Sequence, residues 1–98
     1  MRLTFQKSKM IKQTFLEVFK EGSIYLFGSR VDDRKRGGDI DLYIKLPYNL
    51  SSEERYVKQR DFKLKLYDRI GEQKIDVMIS SEKNRHIEKE VLQKGVLL

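Results

Sequence analysis

The stretch from Ile24 to Arg30 reads IYLFGSR, and a second stretch, DIDL from Asp39 to Leu42, begins ten residues after its serine. The first is a short apolar run that ends at a glycine, which predicts a buried strand followed by a tight turn. In the second, two carboxylates lie two residues apart, so they project from the same face of a strand. Together they predict a strand, a turn and a second strand that carries paired acidic side chains.

The second strand shows strict alternation as far as residue 46. Its apolar side comprises Ile40, Leu42, Ile44 and Leu46, and its other side comprises Asp39, Asp41, Tyr43 and Lys45. Pro47 ends this strand, since proline cannot donate to a sheet ladder. Residues 74–79 alternate in the same way, with Asp76 and Met78 opposite three apolar residues. If the two strands are neighbours, Asp39, Asp41 and Asp76 meet on the face that the core does not use.

Three helices are predicted around these strands. The first has an apolar stripe at helical spacing and is expected to stop at Gly22; its stripe comprises Ile11, Phe15, Val18 and Phe19. Ser51 and Glu54 match a capping box that opens a helix running to about Ile70, with Gly71 as its C-terminal cap. The inward residues of that helix are Phe62, Leu66 and Ile70. A last helix is expected from about Ser81, with Ile87 and Val91 directed inward before Gly95.

The order of elements is helix, strand, short helix or loop, strand, helix, strand, helix. This order predicts an α+β fold, a small mixed β-sheet with helices packed on one face. A chain of 98 residues has room for one modest core, so we expect residues 1–98 to form a single domain.

Composition narrows the function classes. No apolar run approaches the roughly 18 residues of a membrane span, and the N-terminal segment lacks the pattern of a signal peptide. There is no cysteine, which excludes disulfides and zinc-thiolate sites, and a cytoplasmic location is expected. The net charge is +6, but only residues 34–36 form a basic block, so nucleic acid is not expected as the primary partner.

The three aspartates are the residues that suggest chemistry. Two like charges 4 Å apart repel by about 4 kcal/mol at an effective dielectric near 20, so such a cluster favours a bound cation. Ligation by oxygen alone suits Mg²⁺ or Mn²⁺, and two such ions about 3.5 to 4 Å apart form the usual clamp for attack on a phosphoryl group. The sequence therefore predicts that Asp39, Asp41 and Asp76 are both metal ligands and catalytic residues.

The turn between the first two strands supplies groups for a triphosphate. Gly28 permits a close backbone approach, and Ser29 offers its N–H and its hydroxyl as donors to phosphate oxygens. Arg30 adds a guanidinium that can pair with the same charge. We predict that these three residues bind the nucleotide.

Each feature has a plainer interpretation when it is considered alone. Gly28-Ser29 is most often an ordinary turn, and an Asp-x-Asp pair is more often a solvated strand face than a metal site. Tyr43 and Lys45 either border the nucleotide or are simply exposed. His86 is expected on the surface. Only the joint order and spacing favour a site.

The joint pattern resembles the nucleotidyltransferase superfamily that includes DNA polymerase β, and the short length is similar to its minimal nucleotidyltransferase (MNT) branch. The resemblance implies that Asp39 and Asp41 ligate two Mg²⁺ ions, with Mn²⁺ as an alternative, and that Asp76 helps to hold or activate the nucleophile. Gly28 and Ser29 would hold ATP or another nucleoside triphosphate. Gly38, where many relatives have serine, and Val31-Asp32-Asp33, where many have glycine, depart from the pattern.

The resemblance also implies a partner. MNT proteins are commonly paired with a helical HEPN protein that can be a ribonuclease toxin, with the MNT member as its antitoxin. Relatives can transfer AMP to a tyrosine of that toxin. We therefore expect a metal-dependent transfer of a nucleoside monophosphate, AMP from ATP, to a hydroxyl of a HEPN-type partner.

Two other functions remain open on the sequence. One is a non-enzymatic antitoxin, or nucleotide-binding module, that neutralises its partner by occlusion. The other is nucleotide addition to an RNA end, or RNA binding through the basic surface. An affinity for RNA that vanished in moderate salt would indicate non-specific phosphate attraction and would count against this function.

Overall fold

The computed structural model describes residues 4–27, 40–71, 74–81 and 85–98 of the chain. In order, the elements within these ranges are α1 (Phe5–Phe19), β1 (Ser23–Phe27), β2 (Ile40–Lys45), α2 (Ser52–Ile70), β3 (Ile75–Ile79), α3 (Arg85–Lys94) and β4 (Val96–Leu97). The predicted α+β class with a small mixed sheet is confirmed. The short helix or loop expected between the first two strands lies outside the described residues.

The sheet has the strand order β3-β2-β1-β4. β1 is antiparallel to both β2 and β4, whereas β2 and β3 are parallel. A parallel pair cannot be joined by a tight turn and needs a long crossover, which α2 provides. β2 is therefore an inner strand whose two neighbours hold it from both sides.

α1 packs its apolar stripe on the sheet and ends at Phe19, where the chain turns sharply. Its N-cap is Thr4, whose side chain accepts a 3.1 Å hydrogen bond from the backbone N–H of Lys7. Lys20 caps the other end with φ of 74°, and Gly22 follows with φ of 116°. A Cβ atom at Gly22 would lie 2.5 Å from the carbonyl oxygen of Lys45, so the close approach to β2 requires glycine here.

α2 begins and ends as its sequence predicts. The side chain of Ser51 accepts from the backbone of Glu54 at 3.1 Å, and the Glu54 carboxylate accepts from the backbone of Ser51 at 3.0 Å, which completes the capping box. Gly71 forms the C-terminal cap with φ of 89°. Phe62 and Leu66 are fully buried, which confirms the inward face.

One core lies between these two helices and the sheet. The ring of Phe19 stacks on Phe15 at 5.5 Å and meets the edge of Phe62 at 6.0 Å, which joins α1 to α2. The core consists of Ile11, Phe15, Phe19, Ile24, Leu26, Ile40, Leu42, Ile44, Phe62, Leu66, Ile75, Val77 and Ile79. The apolar side predicted for β2 is therefore confirmed from Ile40 to Ile44, and Leu46 packs against the same core although it lies beyond the end of the strand.

Polar side chains of α2 fix the position of β3. Gln59 Nε2 donates to the carbonyl oxygen of Val77 at 3.1 Å, and Arg55 Nη1 donates to that of Ile79 at 3.3 Å. Both contacts satisfy strand carbonyls through the crossover helix itself. They help to hold β3 in place beside β2.

α3 and β4 differ from the sequence prediction. All helices were predicted on one face of the sheet. α1 and α2 do pack on one face, whereas α3 lies on the other face, where it contacts Tyr43 of β2. Val91 is buried as expected, but it lies outside the core between α1, α2 and the sheet. β4 was not predicted, because two residues are too few for alternation to be recognised. Among the described helices, none combines the length and the apolar character that a bilayer span requires.

Candidate functional site

Two of the three predicted aspartates occupy matched positions on neighbouring strands. Asp41 of β2 and Asp76 of β3 are register partners in the parallel pair. Neighbouring strands lie about 4.8 Å apart, and partner residues point to the same face of a sheet. Asp41 is half-buried and Asp76 is exposed, while their strand neighbours Ile40 and Ile75 are buried on the opposite side. The two carboxylates therefore share one face, opposite the main core.

The end of β1 lies beside the same position. Phe27, the last residue of β1, is the antiparallel partner of Asp41. The strand after which the phosphate turn was predicted therefore ends next to the aspartate pair. The predicted nucleotide-binding residues Gly28, Ser29 and Arg30, and the third carboxylate, Asp39, lie outside the described residues.

Backbone hydrogen bonds extend the ladder at both ends of the parallel pair. The N–H of Ile40 donates to the carbonyl oxygen of Lys74 at 2.9 Å, and the N–H of Ser80 donates to that of Ile44 at 2.8 Å. The pairing of β2 with β3 therefore continues along the chain both before and after Asp41 and Asp76. Groups held on strands keep their relative positions better than groups on loops.

Tyr43 corrects one expectation about this face. As a residue of the aspartates' side of β2, it was expected either to border the nucleotide or to be exposed, yet it is fully buried. Its hydroxyl donates a 3.0 Å hydrogen bond to Oε1 of Glu88 in α3. Burial, and then the bond to the Glu88 carboxylate, raise the pKa of Tyr43. α3 therefore covers the part of this face at Tyr43, two residues beyond Asp41, while Lys45 is exposed and His86 lies on the surface as predicted.

Glu88 is a residue whose role the sequence patterns did not reveal. A buried tyrosine usually finds a hydrogen-bond partner for its hydroxyl. An assignment of Tyr43 to the interior would therefore have predicted a polar partner such as Glu88. The alternation of β2 pointed the other way, because it assigned Tyr43 to the polar side. Tyr43 is buried because α3 packs on the polar side of β2.

The donor set fits a hard divalent cation. Asp41 and Asp76 offer only oxygen atoms, which are the ligands that Mg²⁺ and Mn²⁺ prefer. Their alignment on adjacent strands brings two negative charges together, and a cation between them offsets that repulsion. Within the described residues no group of three or more potential ligands is found, and the third predicted ligand, Asp39, is not among those residues.

Comparison with known protein families matches residues 9–98 to the family described as "Polymerase beta, Nucleotidyltransferase". The match covers all four strands and nearly all of the helical residues, so it includes both aspartates of the pair. The chain belongs to this nucleotidyltransferase family. The mixed sheet is consistent with this membership, which supports a nucleotidyltransferase function in general terms. No curated protein matches the chain significantly.

Proposed function

We propose that this protein is a minimal nucleotidyltransferase that transfers AMP from ATP to a hydroxyl of a helical HEPN-type toxin, and that it acts as the toxin's antitoxin. The observation that carries the proposal is the alignment of Asp41 with Asp76 on parallel strands. The family supports nucleotidyl transfer. The donor, the acceptor and the antitoxin role are our inference from the sequence resemblance.

The roles proposed for the residues follow from the sequence resemblance and, for Asp41 and Asp76, also from their places on adjacent strands. Asp39 and Asp41 would hold two Mg²⁺ ions with help from Asp76, and the ions would supply charge neutralisation for the triphosphate. Gly28, Ser29 and Arg30 would bind the triphosphate after the end of β1. Asp76 is the exposed member of the described pair, so an acceptor hydroxyl could approach it from solvent.

In the proposed reaction the acceptor oxygen forms a bond to the α-phosphorus of ATP. The bond between that phosphorus and the oxygen that bridges to the β-phosphate breaks, and pyrophosphate leaves with the electron pair. The acceptor proton passes to the carboxylate of Asp76. The products are pyrophosphate and a partner that carries AMP in a phosphodiester bond.

The test uses ATP labelled at the α-phosphate, Mg²⁺ and the product of the neighbouring gene, which the proposal expects to be a HEPN-type protein. Label should appear on the partner with the wild-type protein and should be lost with Asp41→Asn combined with Asp76→Asn. Asp61→Asn combined with Asp68→Asn provides a charge-matched control, because both residues lie on α2. Absence of label with wild-type protein that still binds Mn²⁺ would falsify the transfer.

The second candidate is a non-enzymatic antitoxin that neutralises its partner by occlusion. The observation that favours it is the set of large apolar side chains exposed on the surface, among them Phe5 and Leu97. Neutralisation of the toxin that survives Asp41→Ala with Asp76→Ala would select this function. Loss of neutralisation in a complex that still assembles would select the chemistry.

A further inference from the structure

An apolar groove of about 930 Å³ runs between α1 and the end of the chain. On one side it is bordered by Phe5, Lys9, Lys12 and Leu16, and on the other by residues 96–98. We call it the α1–β4 groove. It lies on the α1 side of the sheet, whereas Asp41 and Asp76 occupy the opposite face, so a partner bound in the groove would not depend on the proposed chemistry.

The groove exposes three large apolar side chains. Phe5 is 76% exposed, Leu97 is 59% exposed and Leu16 is 41% exposed. Scattered exposed leucines are ordinary, whereas apolar side chains gathered on one concave surface are a common feature of binding sites. These three side chains share such a surface, whereas Leu64, which is similarly exposed, lies on α2 outside this groove.

Besides its buried stripe, α1 presents a second row of side chains to the groove. Its buried stripe consists of Ile11, Phe15 and Phe19 and packs on the sheet. Residues 5, 9, 12 and 16 recur at i, i+4, i+7 and i+11, so they form a second stripe about three turns, or roughly 16 Å, long. Phe5 and Leu16 lie at the ends of this row and the aliphatic stems of Lys9 and Lys12 lie between them, so the row offers a contact of matching length.

The rim of the groove is positively charged. The ammonium of Lys9 lies 5.3 Å from the centre of the Phe5 ring, and that of Lys12 lies 5.9 Å from the centre of the Phe15 ring. Neither lysine forms a salt bridge with another residue in the described part of the chain. The one acid of the groove, Glu17, is neutralised by two hydrogen bonds from Arg69, at 2.7 and 2.8 Å.

From this surface we infer that the α1–β4 groove binds an amphipathic helix of a protein partner, with apolar residues repeated over three turns and acidic residues beside them. The acidic flanks would pair with Lys9 and Lys12. A second copy of this chain is disfavoured because it would bring the same lysines to the contact. An added strand is disfavoured because β4, which has only two residues, offers few backbone groups for pairing.

The test measures binding of a labelled, hydrocarbon-stapled helical peptide of 16 residues by fluorescence anisotropy. The peptide carries leucines at i, i+4, i+7 and i+11 with glutamates beside them, and a second peptide replaces every glutamate with lysine. The glutamate peptide should bind, more weakly at higher salt, and the lysine peptide should bind at least tenfold more weakly. Amide shifts induced by the glutamate peptide should cluster on α1 and β4.

Matched variants locate the contact. Leu97→Glu and, separately, Leu16→Glu should weaken binding about tenfold or more, whereas Leu64→Glu should not. Lys9→Glu with Lys12→Glu should invert the preference between the two peptides, and Lys89→Glu on α3 should leave it unchanged. Far-ultraviolet circular dichroism confirms that each variant is folded.

Three results would overturn the inference. Equal binding of the two peptides would remove the role of charge, and binding unaffected by both Leu97→Glu and Leu16→Glu would place the contact elsewhere. A wild-type dimer in sedimentation that Leu97→Glu converts to a monomer would identify a second copy as the occupant.

Discussion

The hydroxyl of Tyr43 donates a 3.0 Å hydrogen bond to Glu88, and this contact joins the inner strand β2 to α3. It lies on the same side of β2 as Asp41, two residues away. The bond therefore helps to hold α3 on the face that carries the aspartate pair. The fully buried ring of Tyr43 is enclosed on a face that the sequence pattern marks as polar.

Replacement of Tyr43 by phenylalanine should lower the free energy of unfolding by about 1 to 2 kcal/mol. The ring still fills its space, but the hydrogen bond to a charged carboxylate is lost. Urea denaturation followed by circular dichroism measures the change. Tyr56→Phe on the exposed surface of α2 serves as the control and should change stability by less than about 0.5 kcal/mol. Equal effects of the two substitutions would contradict the structural role of the bond.

Stability should fall at alkaline pH because of the same residue. Burial raises the pKa of Tyr43 in the folded state, whereas an unfolded tyrosine titrates near pH 10. Above about pH 10 the unfolded state loses a proton that the folded state retains, so unfolding becomes more favourable as the pH rises. Below that pH the contribution is fully present. Thermal denaturation between pH 8 and 11.5 should show a smaller decline in Tyr43→Phe than in the wild type.

Asp76→Asn should weaken the binding of Mn²⁺ by about tenfold or more, since it removes one of two aligned carboxylates while it preserves the shape of the side chain. Electron paramagnetic resonance of the free ion measures the affinity. Asp68→Asn on α2 should leave the affinity unchanged. Undiminished binding in Asp76→Asn would remove this residue from the metal site.

Ser51→Ala should destabilise the protein by about 0.5 to 2 kcal/mol, because it removes one half of the capping box of α2. Ser52, the first residue of the helix, is a matched control, and Ser52→Ala should have little effect. Thermal denaturation of both variants measures the difference. A larger loss in Ser52→Ala would show that the cap does not fix the start of the helix.

Gly22→Ala should cost more stability than Gly71→Ala. Both glycines have positive φ, at 116° and 89°, so both substitutions carry backbone strain of about 1 to 3 kcal/mol. Only at Gly22 would the added Cβ also meet a backbone atom, the carbonyl oxygen of Lys45 at 2.5 Å, whereas nothing lies within 4 Å at Gly71. Chemical denaturation of the pair therefore isolates the steric contribution. Equal decreases in the free energy of unfolding would indicate that β2 shifts to make room for the methyl group.

Much of the fold could be predicted because local patterns and tertiary packing agree. The capping box, the terminal glycine and the inward residues Phe62 and Leu66 define α2 from sequence alone, and the structure confirms each of them. The alternation of β2 likewise identified the side that packs on α1 and α2. In these segments a single periodicity decides both the type of element and the face that is buried.

The remaining features depend on contacts that alternation does not encode. Tyr43 was assigned to the polar side correctly, yet its burial depends on α3, which approaches from a distant part of the sequence. β4 exists because two residues after Gly95 pair with Tyr25 and Leu26, and so short a segment carries no pattern of its own. For the site, the sequence indicated that Asp41 and Asp76 share a face if their strands are neighbours. The sheet order supplied that condition.

Because β2 and β3 are parallel neighbours, Asp41 and Asp76 lie side by side only when the two strands pair in the native register. A shift of β3 by one residue would turn Asp76 towards the core and bring Ile75 or Val77 out beside Asp41. Such a misfolded sheet would have to bury a carboxylate, and it would separate the two proposed ligands at the same time. Binding of the proposed metal should therefore require the native register of β2 and β3, and it would distinguish the native sheet from a compact but misaligned one.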